Sequence, residues 1–394
     1  MDNRLISVSS LNKRVLRNAG LDWLRKGENK DYLSDDFVRV EEYELRAFKT
    51  AAEGLHRLAM RAAQEVAKRN LWARVGIPDR CVPLLEYSLA QEADLHLIGR
   101  FDFAGGIEKL PIKLLEYNAD TCSLIPETIY VQQQHAAQES RKLNNLLPFN
   151  DYANSAAKRL QRITAARPNA EPGLLLSTLG YAEDRLNSDM IALAAQKAGI
   201  EDRLSIALEG VIFSPEEGIF VKEGRDEYRR YDFWFKFIPW EFIAFEEPEL
   251  WEDLEKIITG GLCTVLNPAF SMLLQSKALM QVMYELEPHN PYLLKTTASA
   301  ADFPHGRYVR KPQFGRMGEN IAVFAGGRSP IYETDGDYGD FPPVYQQTAE
   351  LNTDREEHRY QPSIFYTGEP SALCFRRQDD YVIDDDAEFV GSVV

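Results

Sequence analysis

Apolar and small side chains recur every three or four positions through residues 41–69. That spacing matches the turn of an α-helix with one buried face, so it predicts one long amphipathic helix. The stripe consists of Leu45, Phe48, Ala52, Leu55, Ala59, Ala62 and Val66.

The hydrophobic period changes in the next block of the chain. Short apolar runs at 94–102 and 112–117 flank a turn-rich segment that contains Gly105, Gly106 and Pro111. Apolar runs separated by such residues are typical of paired strands. We therefore predict an antiparallel strand pair.

Later segments also carry recognisable patterns. An apolar run at 173–178 precedes a helical pattern over 182–199 that stops at Gly199, which predicts a strand followed by a helix. A further hairpin is predicted from strands at 306–312 and 321–324. Other predicted helices cover 123–145, 155–166, the segment from 241 onward and 268–285, and other predicted strands lie within 204–240 and at 344–346.

Residues 257–276 carry no charge and approach the ~20 residues that span a bilayer. Gly260, Gly261, Asn267 and Pro268 interrupt any continuous helix there. We predict buried core and a turn.

The composition indicates a globular protein and excludes some classes of partner. Of 394 residues, 44% are hydrophobic and 27% charged, which is typical of a globular protein with two or three domains or one large fold. The 45 basic and 61 acidic residues give a formal charge of −16, which repels nucleic-acid phosphates and anionic lipids. We expect no nucleic-acid or membrane partner.

The cysteines and the first residues bear on localisation. Cys81, Cys122, Cys263 and Cys374 are widely spaced and form no disulfide framework. The first thirty residues contain cations but no apolar segment of a secretory signal. We therefore expect a cytoplasmic protein.

Charged side chains interrupt the predicted strand pair. Arg100 and Asp102 stand two apart on the first strand and share a face, as Glu116 and Asn118 do on the second. Two carboxylates and an amide oxygen suit Mg²⁺, and an adjacent arginine suits a transferring phosphoryl group. The alternative is a solvated face with an exposed salt bridge.

The hairpin at 306–324 offers a second candidate. Lys311 ends its first strand before a loop with Gly315 and Gly318. Glycines let backbone N–H groups approach phosphate oxygens, and the lysine adds a cation. The Walker A pattern is absent, so a simple turn is the alternative. Lys277 is predicted on a helix, where a surface lysine is the plain interpretation.

Other chemistry is disfavoured. The six histidines lack zinc-binding spacing, and no G-x-S-x-G segment is present. Cys122 has no histidine near it in sequence, so a buried thiol is favoured over a nucleophile.

Five segments together resemble the glutathionylspermidine synthase family, specifically its stand-alone acid–amine ligases. They are Gly99-Arg100-Phe101-Asp102, Leu115-Glu116-Tyr117-Asn118-Ala119-Asp120-Thr121, Ile238-Pro239-Trp240-Glu241, Gln275-Ser276-Lys277-Ala278-Leu279 and Tyr308-Val309-Arg310-Lys311-Pro312. The resemblance implies an α+β, ATP-grasp-like fold of the rearranged, glutathione-synthetase-like kind, with a preceding α/β domain. The implied segments are a helical N-terminal region at 1–90, a pre-ATP-grasp and substrate domain carrying the metal residues at 91–270, and an ATP-grasp lobe with the phosphate loop at 271–394.

The resemblance also implies roles for residues. Asp102, Glu116 and Asn118 would hold Mg²⁺, and Arg100 would contact the transferred phosphate. Asp120 would face the acid substrate and Glu241 the cationic amine, although a first-turn helix role for Glu241 is the alternative. The residues that match the ATP site are Lys277, Lys311, Gly315, Arg316, Gly318, Tyr345, Gln346 and Arg376.

The implied reaction is ATP-dependent joining of a small-molecule acid to an amine through an acyl phosphate. Glutathione with spermidine is one candidate pair, and another acid–amine or peptide pair is the alternative. A nucleotide-binding module without turnover and a carboxylate-pair hydrolase also stay open. Two positions depart from the family pattern: Cys122 stands where relatives usually have proline, and the loop at 314–319 differs from the usual S-R-E-G.

Overall fold

The computed structural model describes residues 1–25 and 31–394. Its strands are β1 (Leu5–Ser7), β2 (Leu33–Arg39), β3 (Gly99–Ala104), β4 (Lys113–Asn118), β5 (Leu174–Thr178), β6 (Arg203–Ala207), β7 (Val211–Ser214), β8 (Gly218–Lys222), β9 (Tyr228–Tyr231), β10 (Phe233–Phe237), β11 (Thr264–Leu266), β12 (Thr296–Thr297), β13 (Arg307–Pro312), β14 (Ala322–Ala325), β15 (Tyr332–Glu333), β16 (Pro343–Gln347), β17 (Asn352–Thr353), β18 (Arg359–Tyr366), β19 (Pro370–Gln378) and β20 (Glu388–Val393). Its α-helices are α1 (Lys13–Asn18), α2 (Glu42–Lys68), α3 (Val82–Gln91), α4 (Gln132–Gln138), α5 (Tyr152–Ala165), α6 (Ala182–Lys197), α7 (Trp240–Glu246), α8 (Pro248–Thr259), α9 (Ser271–Gln275) and α10 (Leu279–Leu286).

The largest sheet has the strand order β1-β2-β20-β19-β18-β3-β4, with β17 paired to β18. The long predicted helix, α2, packs against one face of this sheet, where the ring centroids of Phe48 and Phe103 lie 6.1 Å apart. Phe101, on the same face, stacks on Tyr117 at 3.9 Å. Because side chains alternate along a strand, Arg100 belongs to the opposite face.

A four-stranded parallel sheet, β11-β10-β5-β6, forms the second layer. The helix α6 connects β5 to β6, so the predicted strand and helix at 173–199 are confirmed. Parallel strands place their carboxyl ends at one edge, and that edge opens on the candidate site, because Leu179 and Pro239 line a cavity there.

Two antiparallel sheets complete the molecule. The order β12-β16-β13-β14-β15 forms the lobe that contains Lys311, and β7-β8-β9 forms a small separate meander. The predicted hairpin is confirmed, because β13 pairs with β14 across the loop at residues 313–321. The uncharged stretch at 257–276 is buried core around β11, as predicted, and no described helix is long and apolar enough to cross a membrane.

One predicted helix is wrong, because the structure has two shorter helices in its place. The segment 268–285 breaks into α9 and α10, because Ser276 takes an extended conformation (φ −61°, ψ 119°). The Ser276 hydroxyl donates to the carbonyl of Val75 at 2.8 Å and accepts from the N–H of Ala278 at 3.3 Å. Lys277 therefore sits at a break between helices, and its backbone N–H donates to the carbonyl of Gln313.

The helix predicted at 123–145 is also shorter, since a π-helical turn at Glu127–Val131 leads into α4, which ends at Gln138. The division expected at residues 90 and 270 does not coincide with the sheets. The largest sheet takes strands from 1–90, from 91–270 and from 271–394, and the region 1–90 contributes β1 and β2 besides its helices.

Candidate active site

Two cavities meet in the middle of the molecule. The first, which we call the lobe cavity, has a volume of about 480 Å³ and lies against β13, β14 and residues 348–353. The second, the hairpin cavity, has a volume of about 450 Å³ and is lined by the β3–β4 pair and by the carboxyl edge of the parallel sheet. The residues common to both walls are Glu116, Arg316, Met317, Gly318, Gln361 and Ile383.

The β3–β4 pairing brings the four charged and amide groups together. Arg100 stands opposite Asn118, and Asp102 stands opposite Glu116. The Asn118 amide donates to Asp102 at 2.9 Å and to Glu116 at 3.1 Å. The grouping expected from strand alternation is therefore present, and these residues line the hairpin cavity.

Both carboxylate oxygens of Asp102 accept hydrogen bonds from neighbouring side chains. The Arg100 Nε and Nη2 atoms each donate to a separate Asp102 oxygen at 2.8 Å, and the Ser363 hydroxyl donates to Asp102 Oδ1 at 2.7 Å. Arg100 Nη1 donates to the carbonyl of Ser123 at 2.9 Å. Such a bidentate pair holds the guanidinium in one orientation.

Glu116 faces two lysines. Lys277 Nζ lies 3.2 Å from Glu116 Oε2, and it donates to the carbonyl of Gly315 at 2.6 Å. Burial works against the charged form of Glu116, but Lys277 and Lys311 outweigh it and lower the pKa of Glu116 to about 2. The carboxylate is therefore ionised at neutral pH.

Lys311 is buried at the boundary of the lobe cavity. Its Nζ donates to Gln346 Oε1 at 2.8 Å and to the carbonyl of Leu115 at 3.2 Å. Burial, opposed by Glu116 and aided by Lys277, lowers the pKa of Lys311 to about 8. Tyr345, the neighbour of Gln346, packs its ring against Tyr308 at 5.5 Å.

The loop at 313–321 separates the two cavities. Met317 and Gly318 both have positive φ, of 56° and 74°. Gly318 faces the segment at 382–384 so closely that a Cβ there would lie 2.9 Å from the Asp384 Cβ. The glycine is therefore required for the close approach of the loop to that segment.

The two residues expected to face substrates have protein partners instead. Asp120 lies outside both cavity walls, and it accepts from Lys236 at 3.0 and 3.1 Å, from the N–H of Trp240 at 2.8 Å and from the Ser271 hydroxyl at 3.0 Å. Glu241, also absent from both walls, accepts from Arg316. Neither carboxylate presents itself to a cavity.

Sequence reasoning missed several cavity residues. Arg376, which the resemblance assigned to the ATP site, lines the hairpin cavity and not the lobe cavity, and its Nη2 atom donates to the carbonyl of Asp384. Gln361 stands opposite Arg376 on β18 and lines both cavities, but it belongs to none of the five segments. The other missed residues of the hairpin cavity include Trp23, Tyr32, Glu183 and Asp184. They come from distant segments that carry no motif.

A family model described as "Glutathionylspermidine synthase preATP-grasp" matches residues 4–394 of the chain. The chain belongs to the glutathionylspermidine synthase family. The resemblance stated from the five segments is thereby confirmed, and it extends beyond the range of residues in which those segments lie.

Named relatives agree with the family. A protein of Haemophilus influenzae named as an acid–amine ligase is 26% identical over 346 residues, covering 85% of this chain and 84% of its own. The bifunctional glutathionylspermidine synthetase/amidase of Escherichia coli is 24% identical over 364 residues, covering 87% of this chain and 57% of its own. The trypanothione synthetase of Crithidia fasciculata is 26% identical over 328 residues, covering 79% of this chain and 49% of its own. The chain thus spans about half the length of the latter two relatives.

A solved structure confirms the fold class. A glutathione synthetase-like effector from Globodera pallida superposes with a TM-score of 0.55 at 12% identity, covering 98% of this chain and 99% of that one. The predicted α+β, ATP-grasp-like fold of the glutathione-synthetase kind is therefore correct.

Proposed function

We propose that this family member is an ATP-dependent ligase that joins a carboxylic acid to an amine through an acyl phosphate. The observation that carries the proposal is the meeting of two cavities at Glu116 and at the loop residues Arg316, Met317 and Gly318. A phosphoryl group can pass between substrates only where their sites adjoin. The ligase and synthetase names of the relatives confirm the reaction class.

The nucleotide occupies the lobe cavity in this proposal. Lys277 and Lys311 line it together with Gly315 and Gly318 of the loop. Backbone N–H groups of a glycine-bearing loop and two lysines supply the positive potential that a triphosphate needs. Tyr345 and Gln346 lie on β16, which pairs with β13, and neither lines the wall of the lobe cavity. The family resemblance implies that this strand adjoins adenine.

The acid and the amine occupy the hairpin cavity. Arg100 and Arg376 supply cations to its wall, which suits a carboxylate and the phosphate it acquires. Glu183 and Asp184 supply negative charge to the wall of the same cavity, which suits an ammonium. Relatives named for glutathionylspermidine make glutathione and spermidine the first pair to test. Localisation in the cytoplasm stays a prediction.

The metal residues fit a magnesium ion. Glu116 is ionised, and the Asn118 amide group donates to both carboxylates, which leaves its oxygen as an acceptor beside them. Mg²⁺ usually takes only one or two carboxylates from a protein and fills the rest of its shell with waters and phosphate oxygens. Asp102, Glu116 and Asn118 would hold Mg²⁺, which when bound offsets the charge of the phosphates.

The chain's own residues then account for two steps. A carboxylate oxygen of the acid attacks the γ-phosphorus of ATP, and the bond from that phosphorus to the β,γ-bridging oxygen breaks. The products of this step are ADP, which departs, and the acyl phosphate. The neutral amine, having lost a proton to solvent, attacks the acyl carbon and forms a tetrahedral intermediate. The bond from that carbon to the phosphate oxygen then breaks, phosphate departs, and the nitrogen releases its second proton to solvent as the amide forms. Arg100, held by Asp102, stabilises the charge of the moving phosphoryl group, and the loop at 313–321 excludes water that would hydrolyse the acyl phosphate.

The test is a substrate panel. The protein is incubated with Mg-ATP and each of a set of acids, with and without amines, and ADP formation and product mass are measured. We expect ADP only when both acid and amine are present, and a product whose mass is their sum less one water. Nucleotide binding with no ADP under any pair would overturn the proposal.

Variants locate the site within the same assay. We expect Asp102→Asn and Lys311→Ala each to reduce turnover by roughly tenfold or more, because Asp102 holds Arg100 and would hold Mg²⁺, and because Lys311 supplies positive charge to the phosphates. Lys158→Ala, which changes a lysine whose side chain is 61% exposed, is the matched control and should leave turnover unchanged. Unchanged turnover in both site variants would place the active site elsewhere.

A further inference from the structure

Arg316 is the cation of the loop between the cavities, and its orientation is imposed by one carboxylate. Its Nε and Nη2 atoms donate to Glu241 Oε1 at 3.2 and 2.6 Å. The guanidinium also lies over the Phe242 ring, 5.7 Å from its centroid. The Glu241 side chain is 3% exposed, whereas that of Arg316 is 19% exposed. The arginine therefore reaches the cavities, and the glutamate stays behind it.

The free edge of Arg316 points to a ligand. Its Nη1 atom has no acceptor within residues 1–25 and 31–394, although Arg316 lines both cavities. A guanidinium offers donors in a planar fork that matches phosphate oxygens. With Nε and Nη2 occupied by Glu241, the remaining edge is available at the place where the two cavities adjoin.

Glu241 is itself anchored from behind. It is the second residue of α7 and directly follows Trp240, whose N–H donates to Asp120 at 2.8 Å. Lys236 pairs with Asp120 at 3.0 Å and lies 4.4 Å from the centroid of the Trp240 ring. Charges thus alternate from Asp120 through Lys236 and Glu241 to Arg316. A carboxylate held within such a series can keep the side chain of a loop residue in one rotamer.

From these contacts we propose that Glu241 is a positioning residue, which holds the Arg316 guanidinium against the phosphoryl group at the junction of the cavities, and that it does not bind the amine. The proposal rests on the proposed ligase function. A long arginine on a loop loses rotamer freedom when it is fixed, and Glu241 imposes that order before substrate arrives. Arg316 then stabilises negative charge on the transferring group.

A double-mutant cycle tests the dependence of one residue on the other. The variants are Glu241→Gln, Arg316→Gln and both together, and each is assayed for kcat and for the KM of ATP, acid and amine. We expect Glu241→Gln to lower kcat by about 10- to 100-fold while the amine KM changes less than about twofold. In the Arg316→Gln background, the same change should have less than about a twofold effect, because its target is gone.

Controls and a second measurement keep the outcome decisive. Glu246→Gln, at an exposed position on the same helix, should change neither constant. Hydrogen exchange of the backbone amides at 313–320, which needs no turnover, should accelerate in Glu241→Gln and stay unchanged in Glu246→Gln.

Three results would overturn the proposal: a raised amine KM with unaltered kcat, independent effects of the two substitutions, or unchanged amide exchange. The first would return Glu241 to the amine site, where its second oxygen, buried and unpartnered, would be the acceptor. Absence of ADP formation by the unsubstituted protein would count against the ligase function, and the exchange measurement would still decide the role of Glu241.

Discussion

Some residues at this site have shifted pKa values, and the shift at Lys311 affects the stability of the folded protein. Its pKa lies at about 8, lowered mainly by burial, against an ordinary value of about 10.4. The folded protein therefore holds the charged lysine at a cost in stability below pH 8. That cost disappears as the pH rises towards the value for the unfolded chain.

The same shift predicts how nucleotide affinity depends on pH. A triphosphate favours the charged lysine, so we expect the dissociation constant for Mg-ATP to stay level below pH 8 and to rise up to about tenfold per pH unit above it. Calorimetric titrations between pH 6.5 and 9.5 would measure the change. Lys311→Arg keeps its charge throughout and is the control, expected to give a flat profile. An identical slope in both proteins would contradict the assignment.

At the scale of single residues, the sequence predicts which side chains on adjacent strands group together. It does not predict contacts between residues that are far apart along the chain. Alternation along two strands suffices to group Arg100, Asp102, Glu116 and Asn118. By contrast, Asp120 meets Lys236, which lies 116 positions away, and no local pattern reveals that pair. The family resemblance assigns Glu241 to the amine, and no local pattern reveals its contact with Arg316, which lies on a loop 75 positions later.

Elements were predictable where one face is buried and the chain has clear breaks. The helix α2 satisfies both conditions, because its apolar stripe is buried and its polar face is not. The break between α9 and α10 could not be predicted, since no proline or glycine marks it. It is stabilised by the bond from Ser276 to the carbonyl of Val75, 201 positions earlier. That break turns Lys277 from a helix surface towards Glu116.

The loop between the cavities gives a prediction at the element scale. In Gly318→Ala, the new Cβ would sit 2.9 Å from the Asp384 Cβ and 3.1 Å from Val382 Cγ1, at a φ of 74°. Strain of that kind costs on the order of 1–3 kcal/mol. We expect the loop to move away, which lowers kcat/KM for ATP by about tenfold or more and shifts the melting temperature little.

A second glycine of the same lobe serves as the comparison. Gly327 lies between β14 and β15, and a Cβ there would meet nothing nearer than 3.6 Å. We expect Gly327→Ala to leave both kcat/KM and stability unchanged. Equal kinetics for the Gly318 and Gly327 variants would show that the contact with the segment at 382–384 has no role in binding ATP.

At the scale of the whole molecule, the last three long strands were not predicted. Nearly every residue of β18 is buried, so the strand shows no alternation of apolar and polar positions. It also contains Pro362, which argues against a central strand. The sheet nevertheless places β18 between β19 and β3, and this position delivers Gln361 and Ser363 to the site. The family resemblance supplied the overall fold, which periodicity alone did not.

Buried ionisable groups in the core act on the stability of the entire chain, and they act in opposite directions. Burial lowers the pKa of His96 to about 4, so between pH 6.5 and 4 the unfolded chain binds a proton that the folded chain does not. Stability from this group therefore rises with pH. Burial raises the pKa of Glu92 to about 7, so between pH 4.5 and 7 the unfolded chain releases a proton that the folded chain keeps. Stability from this group therefore falls with rising pH.

Glu92→Gln isolates the second contribution. A shift from an ordinary value near 4.5 to about 7 corresponds to about 3 kcal/mol at 1.36 kcal/mol per pH unit. The glutamine keeps the shape and an acceptor for the Ser88 hydroxyl, which now donates to Glu92 at 2.8 Å. We expect the variant to match the unsubstituted protein at pH 4.5 and to exceed it by about 3 kcal/mol at pH 8, measured by urea unfolding. Glu86→Gln, an exposed change on α3, the helix that ends just before Glu92, should show no such divergence. A constant difference between the Glu92 variant and the unsubstituted protein across that range would mean that Glu92 is ionised in the fold, because only a carboxyl kept protonated by burial loses stability as the solution becomes more alkaline.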